Sequence, residues 1–243
     1  MNNRLIKEMK IPVSLCDSTG HLDVPGFFTI FMDMASEHAA DIGMGMDAMA
    51  DKGLIWLAVK TKLKIYSRPA LFSKVTATTW PAAPGRIRCD RLYTMKDGET
   101  LLAEAKNEWT MYRPATGKLR KMENGYPKEL VVWPEIVCDE PYAKLKGDFA
   151  DAQEICRHKV TSGDLDTSQH MNNVEYINVI FNVFSSQQLS QMDISQVEIA
   201  YKNQCFEGEV LSVRIKEAEN GFEMGIIKED GTAGAIALIT LKQ

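Results

Sequence analysis

Cysteine is scarce and scattered in this chain. The five present, Cys16, Cys89, Cys138, Cys156 and Cys205, are odd in number and form no C-x-x-C pair. That spacing points to neither a disulfide framework nor a zinc site, and leaves free thiols packed as small apolar groups. No metal-ligand cluster and no glycine-rich phosphate loop is present, so no metal and no other cofactor is expected. No run approaches the roughly 18 consecutive apolar residues of a membrane span. The first residues, MNNRLIKEMKIPVSL, lack the apolar core of a signal peptide, which makes the cytoplasm the expected location. An excess of basic charge is also missing: the formal net charge is −5, which argues against nucleic acid as a partner. What remains is the composition of an ordinary globular protein, with length for one large domain or two smaller ones.

The richest polar stretch is DLDTSQHMNN at 164–173, directly ahead of the apolar run VEYINVIFNVF. A worn copy of it, CDSTGHLDVPGFFTIFMDM, occurs at 16–34. Aligning His21 with His170 puts Asp17 on Asp166, Thr19 on Ser168 and Phe27 on Tyr176. The shared frame is D-x-[ST]-x-H followed by a long apolar segment. LKIYSRPALFSKV (63–75) then aligns with EIAYKNQCFEGEV (198–210), Tyr66 meeting Tyr201 and Val75 meeting Val210. MKDGETLLAEAKNEWTMY (95–112) parallels KEDGTAGAIALITLK (228–242), each a D-G turn between extended runs. Three matches in one order indicate an internal duplication, with a period far too long for a solenoid.

Each copy reads as a short strand, the polar loop, one long buried helix, and then strands. Phe27, Phe31, Met34 and His38 recur at helical spacing, as do Ile177, Ile180, Phe181 and Phe184. VKTKLKIY alternates strictly, with Val59, Thr61, Leu63 and Ile65 on one face and Lys60, Lys62 and Lys64 on the other. Asp97-Gly98, Asp230-Gly231 and Asn220-Gly221 offer hairpin turns. The expected class is α+β, with a curved antiparallel sheet wrapped around a central helix in each half. The expected division is 1–122, a crossing segment at 123–152 with no clear period, and 153–243.

DLDTSQHMNNVEYIN resembles the D-L-D-x-N-x-H-x-N-N-x-x-Y motif of the acyl-acyl-carrier-protein thioesterases of plants and bacteria. VEIAYKNQCFEGEVL resembles that family's second motif, whose usual form is Y-R-x-E-C. The likeness runs over nearly the whole chain. It implies a tandem (double) hotdog fold, and a reaction that hydrolyses the thioester between a fatty acyl chain and the carrier's phosphopantetheine arm, ending fatty acid synthesis. Two positions depart from the pattern: Ser168 stands where the family usually has Asn, and Gln204 where it usually has Glu.

Thioester hydrolysis needs an activated water or a nucleophile, and donors for the developing oxyanion. Asp166 and His170 are the acid and histidine of the intact motif, and Ser168 lies between them. Gln204 cannot act as a base, but it can position water or the pantetheine arm. Asn172 and Asn173 stand where a helix begins, either as its cap or against substrate. Cys205 admits a nucleophile reading, but a small residue in a strand is the better one. Phe31 and Met34, on the methionine-rich first helix, are candidates to line an acyl tunnel or simply to fill core. The stripe Lys60, Lys62, Lys64, Arg68 and the set Arg86, Arg88, Arg91 fit either docking of an acidic carrier protein or a solvated sheet face. The expected partner is acyl carrier protein, and a homodimer is a further expectation. Acyl-coenzyme A hydrolysis, and acyl binding with little catalysis, are the alternatives. Chemistry is expected in 153–243 and chain accommodation in 1–122.

Overall fold

A computed structural model describes residues 3–127 and 129–242. The first half contains β1 (Leu5–Lys10), α1 (Val24–Asp41), α2 (Met46–Ala50), β2 (Ile55–Ile65), β3 (Lys74–Pro81), β4 (Cys89–Asp97), β5 (Thr100–Arg113) and the short β6 (Lys118–Arg120). The second contains β7 (Gln153–Lys159), α3 (Asn173–Phe181), α4 (Ser186–Gln191), β8 (Ile194–Tyr201), β9 (Val210–Ala218), β10 (Gly221–Ile227) and β11 (Ala233–Leu241). The strands form one sheet in the order β1-β3-β4-β5-β2-β8-β11-β10-β9-β7, with β6 paired to β5. Every pairing is antiparallel. The order is a palindrome. β2 and β8 meet at its centre, and corresponding strands lie at equal distances on either side. α1 and α3 pack against each other, and their apolar faces join the inner side chains of both halves in one main core.

α1 starts where Asp23 caps Gly26 N–H and a proline occupies the first turn, where its missing N–H costs nothing. α3 is shorter than the apolar periodicity implies. It stops at Phe181, so Phe184 lies outside it, because Ser185 and Gln188 form a reciprocal capping box that starts α4.

The structure corrects the register of the duplication. Leu22 N–H donates to Pro69 O and Met171 N–H to Cys205 O; Tyr66 N–H donates to Leu102 O and Lys202 N–H to Gly234 O. Phe72 and Gly208 share the left-handed backbone, with φ 63° and 87°. Tyr66 therefore corresponds to Lys202 rather than Tyr201, Val75 to Leu211, and Arg68 to Gln204. Matching side chains misled the alignment by one residue, since a sheet is registered by its backbone ladder and turns.

In this register Lys62 and Glu198 are equivalents, and they also face each other across the β2–β8 seam. Their charged atoms are 3.2 Å apart and both side chains are almost wholly buried. The crossing segment buries them. Lys62 donates to Pro141 O, Lys106 to Glu140 O, and Ala143 N–H to the Glu198 carboxylate. Lys64 pairs with Glu140 and Glu104. The segment begins over the first half, where Trp80 donates to Glu135 O, and ends over the second, where Phe149 packs on Ile227 and Ile236. The alternating lysine face is thus neither solvated nor open to a carrier protein. It is the bed of a strap, and Arg68 is spent on Asp17. In the second set Arg88 pairs with Glu108, while Arg91 is buried against His38.

Removing one member of a buried pair strands the other charge. Glu198→Ala is therefore expected to lower unfolding free energy by about 3–5 kcal/mol. The double variant Lys62→Met/Glu198→Leu should lose distinctly less, since only neutral groups of the strap and the Gln196 amide are left unpaired. Guanidinium unfolding of the variants checks this; a double variant as unstable as the single would refute the stranded-charge account.

Candidate active site

The two polar loops have the same backbone. Each follows a single 3-10 turn, Val13–Leu15 in one half and Ser162–Asp164 in the other. Asp17 N–H donates to His21 O and Asp166 N–H to His170 O, both at 2.9 Å. The bridge between Cys16 and Leu22 is repeated by Leu165 and Met171. The tip is left-handed in both, at Gly20 with φ 75° and at Gln169 with φ 63°. Glycine accepts that conformation freely, whereas a glutamine held there is strained backbone beside a candidate site.

Within the second loop Asp166 Oδ1 accepts Ser168 N–H at 2.8 Å and the Ser168 hydroxyl at 2.5 Å. Ser168 Oγ lies 3.1 Å from His170 Nδ1. With its only proton directed at Asp166, Ser168 Oγ can only accept from His170, so Nδ1 carries a proton and Nε2 of a neutral ring keeps its lone pair. The imidazole rests on Phe206, ring centroids 5.1 Å apart, which fixes its plane. The structure brings Asp166, Ser168 and His170 together in the order needed to orient a base. The first loop repeats the chain through Asp17, Thr19 and His21.

The charges differ between the copies. Arg68 pairs with Asp17 at 2.5 Å. Burial pushes the Asp17 carboxyl up, but the hydrogen bonds from Thr19 and Arg68 outweigh it and hold the pKa below its ordinary value. At the equivalent place the second half has Gln204, and among the described residues no cation pairs with Asp166. Gln204 is exposed, and its backbone carbonyl accepts from Lys228. Asp164 is occupied in another way: it accepts the N–H and hydroxyl of Thr161 and completes a capping box.

Cys205 is fully buried. Its N–H donates to the Tyr176 hydroxyl and its carbonyl receives Met171 N–H. Burial raises its thiol pKa, so the thiolate needed for attack is disfavoured. Asn172 is the α3 cap, its Oδ1 accepting Val174 N–H. Asn173 opens the helix, and its carbonyl receives the Tyr201 hydroxyl. No hydrogen bond ties the Asn173 side chain among the described residues. Phe31 lines a narrow cavity under α1, stacked on Tyr93. Met34 does not reach that cavity and is packed in the main core. From the other half Met46, at the start of α2, touches Thr167 of the second loop. Sequence reasoning missed the contact of Tyr201 with Asn173, the Arg68–Asp17 pair and the buried polar atoms behind the cavity. The first two become visible only once the halves are in the correct register.

Among the described residues no helix is long and apolar enough to cross a membrane, and no cluster of metal-ligating side chains occurs. Two family models match the chain: the acyl-ACP thioesterase N-terminal domain over residues 2–130 and the acyl-ACP thioesterase C-terminal domain over 148–240. The chain is 24% identical to the chloroplastic oleoyl-acyl carrier protein thioesterase of Coriandrum sativum, over 87% of its own length and 62% of the relative's. It is 25% identical to the chloroplastic palmitoyl-acyl carrier protein thioesterase of Gossypium hirsutum, over 76% of its own length and 48% of the relative's. It therefore spans about half to two thirds of these curated relatives. Its fold matches the acyl-ACP thioesterase of Bacteroides thetaiotaomicron with TM-score 0.86 and 19% identity, covering 99% of this chain and 98% of that one. It also matches the 12:0-ACP thioesterase of Umbellularia californica with TM-score 0.80 and 16% identity, covering 100% and 98%. The tandem hotdog architecture is thus the one these neighbours share, and with both family models matched in order along it, the chain belongs to the acyl-ACP thioesterase family.

Proposed function

We propose that this protein hydrolyses the thioester of fatty acyl groups carried on acyl carrier protein, releasing free fatty acid and holo-carrier, with the chemistry at Asp166, Ser168 and His170. One observation carries the assignment to the second half. The two loops share one backbone and one hydrogen-bond chain, but Arg68 neutralises Asp17, whereas Asp166 keeps its charge available to the loop.

Asp166 holds the Ser168 hydroxyl, which in turn orients His170 with Nε2 unprotonated. His170 Nε2 takes a proton from water, and that water attacks the thioester carbon. The carbonyl oxygen becomes an oxyanion near the start of α3, where the helix N-terminus and the Asn173 amide favour negative charge. The protonated imidazole then returns its proton to the departing pantetheine thiolate. Gln204 lies beside the loop as an uncharged positioning group. The acyl chain is directed toward the cavity between α1 and strands β2, β4 and β5, so residues 1–122 accommodate it and 153–243 perform the reaction. No cofactor is required. The cytoplasm as location and a homodimer as assembly belong to the same reading. Edge strands β1 and β7 carry Lys7, Lys10, Arg157 and Lys159, charges that oppose strand-to-strand joining, so a dimer would use another face.

Three outcomes follow for purified protein with acyl-carrier substrates. Asp166→Asn and His170→Ala should each reduce kcat at least about a hundredfold, while His21→Ala stays within about tenfold; equal losses at His21 and His170 would show that both loops are catalytic. Gln204→Arg should install in the second half the ion pair that Arg68 makes in the first, lowering kcat at least about tenfold, and a normal rate in Gln204→Arg would separate the charge of Asp166 from turnover. Cys205→Ala should keep most of the activity, with no acyl adduct on Cys205 in mass spectra of the reacting enzyme; a stable adduct there would revive a cysteine nucleophile.

A further inference from the structure

The cavity that receives the acyl chain in the reading above has an apolar open surface, but residues of its lining carry polar atoms buried directly behind that surface. It is narrow, about 10 Å³, and lined by Phe28, Phe31 and Met32 from α1 and by Thr61, Leu63, Tyr93, Ala105 and Asn107 from the sheet. Three of these carry buried polar atoms with no closed hydrogen bond: Thr61 Oγ1, Asn107 Oδ1 and Tyr93 OH, the last facing the equally unpaired Trp109 Nε1. Their side chains belong to residues only 6%, 1% and 1% exposed. Leaving such atoms unpaired in an apolar core is costly, and buried polar groups are otherwise almost always satisfied. Thr61 and Asn107 face each other directly across β2 and β5. Asn107 donates its amide N–H to the Met32 sulfur at 3.3 Å, which leaves Oδ1 as the unused acceptor. Arg91, next in the row on β4, is hydrogen-bonded to His38 and is not part of this set.

The second half shows that the fold does not require these groups. In the ladder register Thr61, Asn107 and Tyr93 correspond to Val197, Ile239 and Met224. All three counterparts are apolar and fully buried. The polar trio therefore exists only in the half that takes the chain. It also adjoins the reacting loop. The Thr61 hydroxyl faces that of Tyr201 without a closed hydrogen bond, and Tyr201 donates to the carbonyl of Asn173 at the head of α3.

We propose that Thr61, Tyr93 and Asn107 form a recognition site for a hydroxyl group on an interior carbon of the acyl chain, so that hydroxylated acyl thioesters are the preferred substrate class. A hydroxyl is both donor and acceptor. It donates to Asn107 Oδ1 and accepts from the Tyr93 or Thr61 hydroxyl, whereas an oxo group offers nothing to Asn107. The cavity volume suits one such oxygen, and Met32 can rotate to admit the flanking methylenes. The inference rests on the thioesterase reading for its position in the reaction, but not for the binding itself.

The test compares acyl-carrier thioesters of one chain length bearing no hydroxyl, an interior hydroxyl or a terminal hydroxyl. Wild-type protein should favour the interior hydroxyl over the plain chain by at least about tenfold in kcat/KM, and Asn107→Leu, Thr61→Val and Tyr93→Phe should each reduce that preference to about twofold or less. Thermal melting in the presence of the free acids gives a second readout that needs no turnover. The hydroxy acid should raise the Tm of wild-type protein more than the plain acid does, and this difference should vanish in Thr61→Val. Cleavage of plain chains without any hydroxyl preference, or a preference kept in Asn107→Leu, overturns the inference and leaves the thioesterase reading intact. Selective Tm shifts with no cleavage of any thioester would do the reverse. If Asn107→Leu does not fold, Thr61→Val, which changes volume least, decides between them.

Discussion

The Lys62–Glu198 pair is the point on which the architecture turns. It sits at the centre of a palindromic sheet, where the duplicated strands β2 and β8 meet and each residue faces its own equivalent. Two identical halves would put like charges opposite each other at this position, a destabilising arrangement even before burial. Two different halves in one chain allow a lysine to face a glutamate. The strap then removes the pair from water, and its backbone supplies the remaining hydrogen bonds through Pro141 O and Ala143 N–H. Buried charge is tolerated when it is both paired and hydrogen-bonded, and both conditions depend on the crossing segment lying where it does. The segment without periodicity thus covers the seam at which the β2–β8 ladder joins the two halves in one sheet.

Joining the halves also let their loops diverge without losing shape. The two D-x-[ST]-x-H loops are superimposable in hydrogen bonding, so backbone geometry alone cannot assign the chemistry. The distinction lies in what stands at one strand-end position. An arginine there pairs with Asp17, and a glutamine leaves Asp166 without a cation among the described residues. The same principle operates below α1, where three polar side chains of the first half replace three apolar ones of the second. In both places a shared scaffold carries a local difference in polarity, so the proposed division of labour rests on that difference and not on the scaffold.

Much of this was legible in the residues. The repeated D-x-[ST]-x-H frame, the capping residues ahead of each apolar run and the D-G turns depend on neighbours within about ten positions, and such local chemistry acts the same way in any fold. The loop that holds Asp166, Ser168 and His170 is of this kind. Cys205 reads as a strand residue in the sequence; it is buried, but in the connection between β8 and β9, where its backbone bonds to Met171 and Tyr176 hold it.

Other features depended on distant segments meeting. The alternation of Lys60, Lys62 and Lys64 correctly marked a strand with two faces, but it could not reveal that Glu140, Pro141 and Glu198 would cover the outer one, since those partners lie about eighty or more positions away. The register of the repeat needed the backbone ladder, because side-chain likeness between Tyr66 and Tyr201 is no guide to which amides pair. Arg68 reaches Asp17, and Thr61, Tyr93 and Asn107 reach one cavity, only after three strands and a helix have closed around them. The sequence by itself determined the elements, the caps and the D-x-[ST]-x-H loops, because short-range sterics and hydrogen bonding suffice for those. Only the tertiary structure decided which charges are neutralised and which polar atoms stay unpaired, because burial and electrostatic partnership are properties of segments brought together in space.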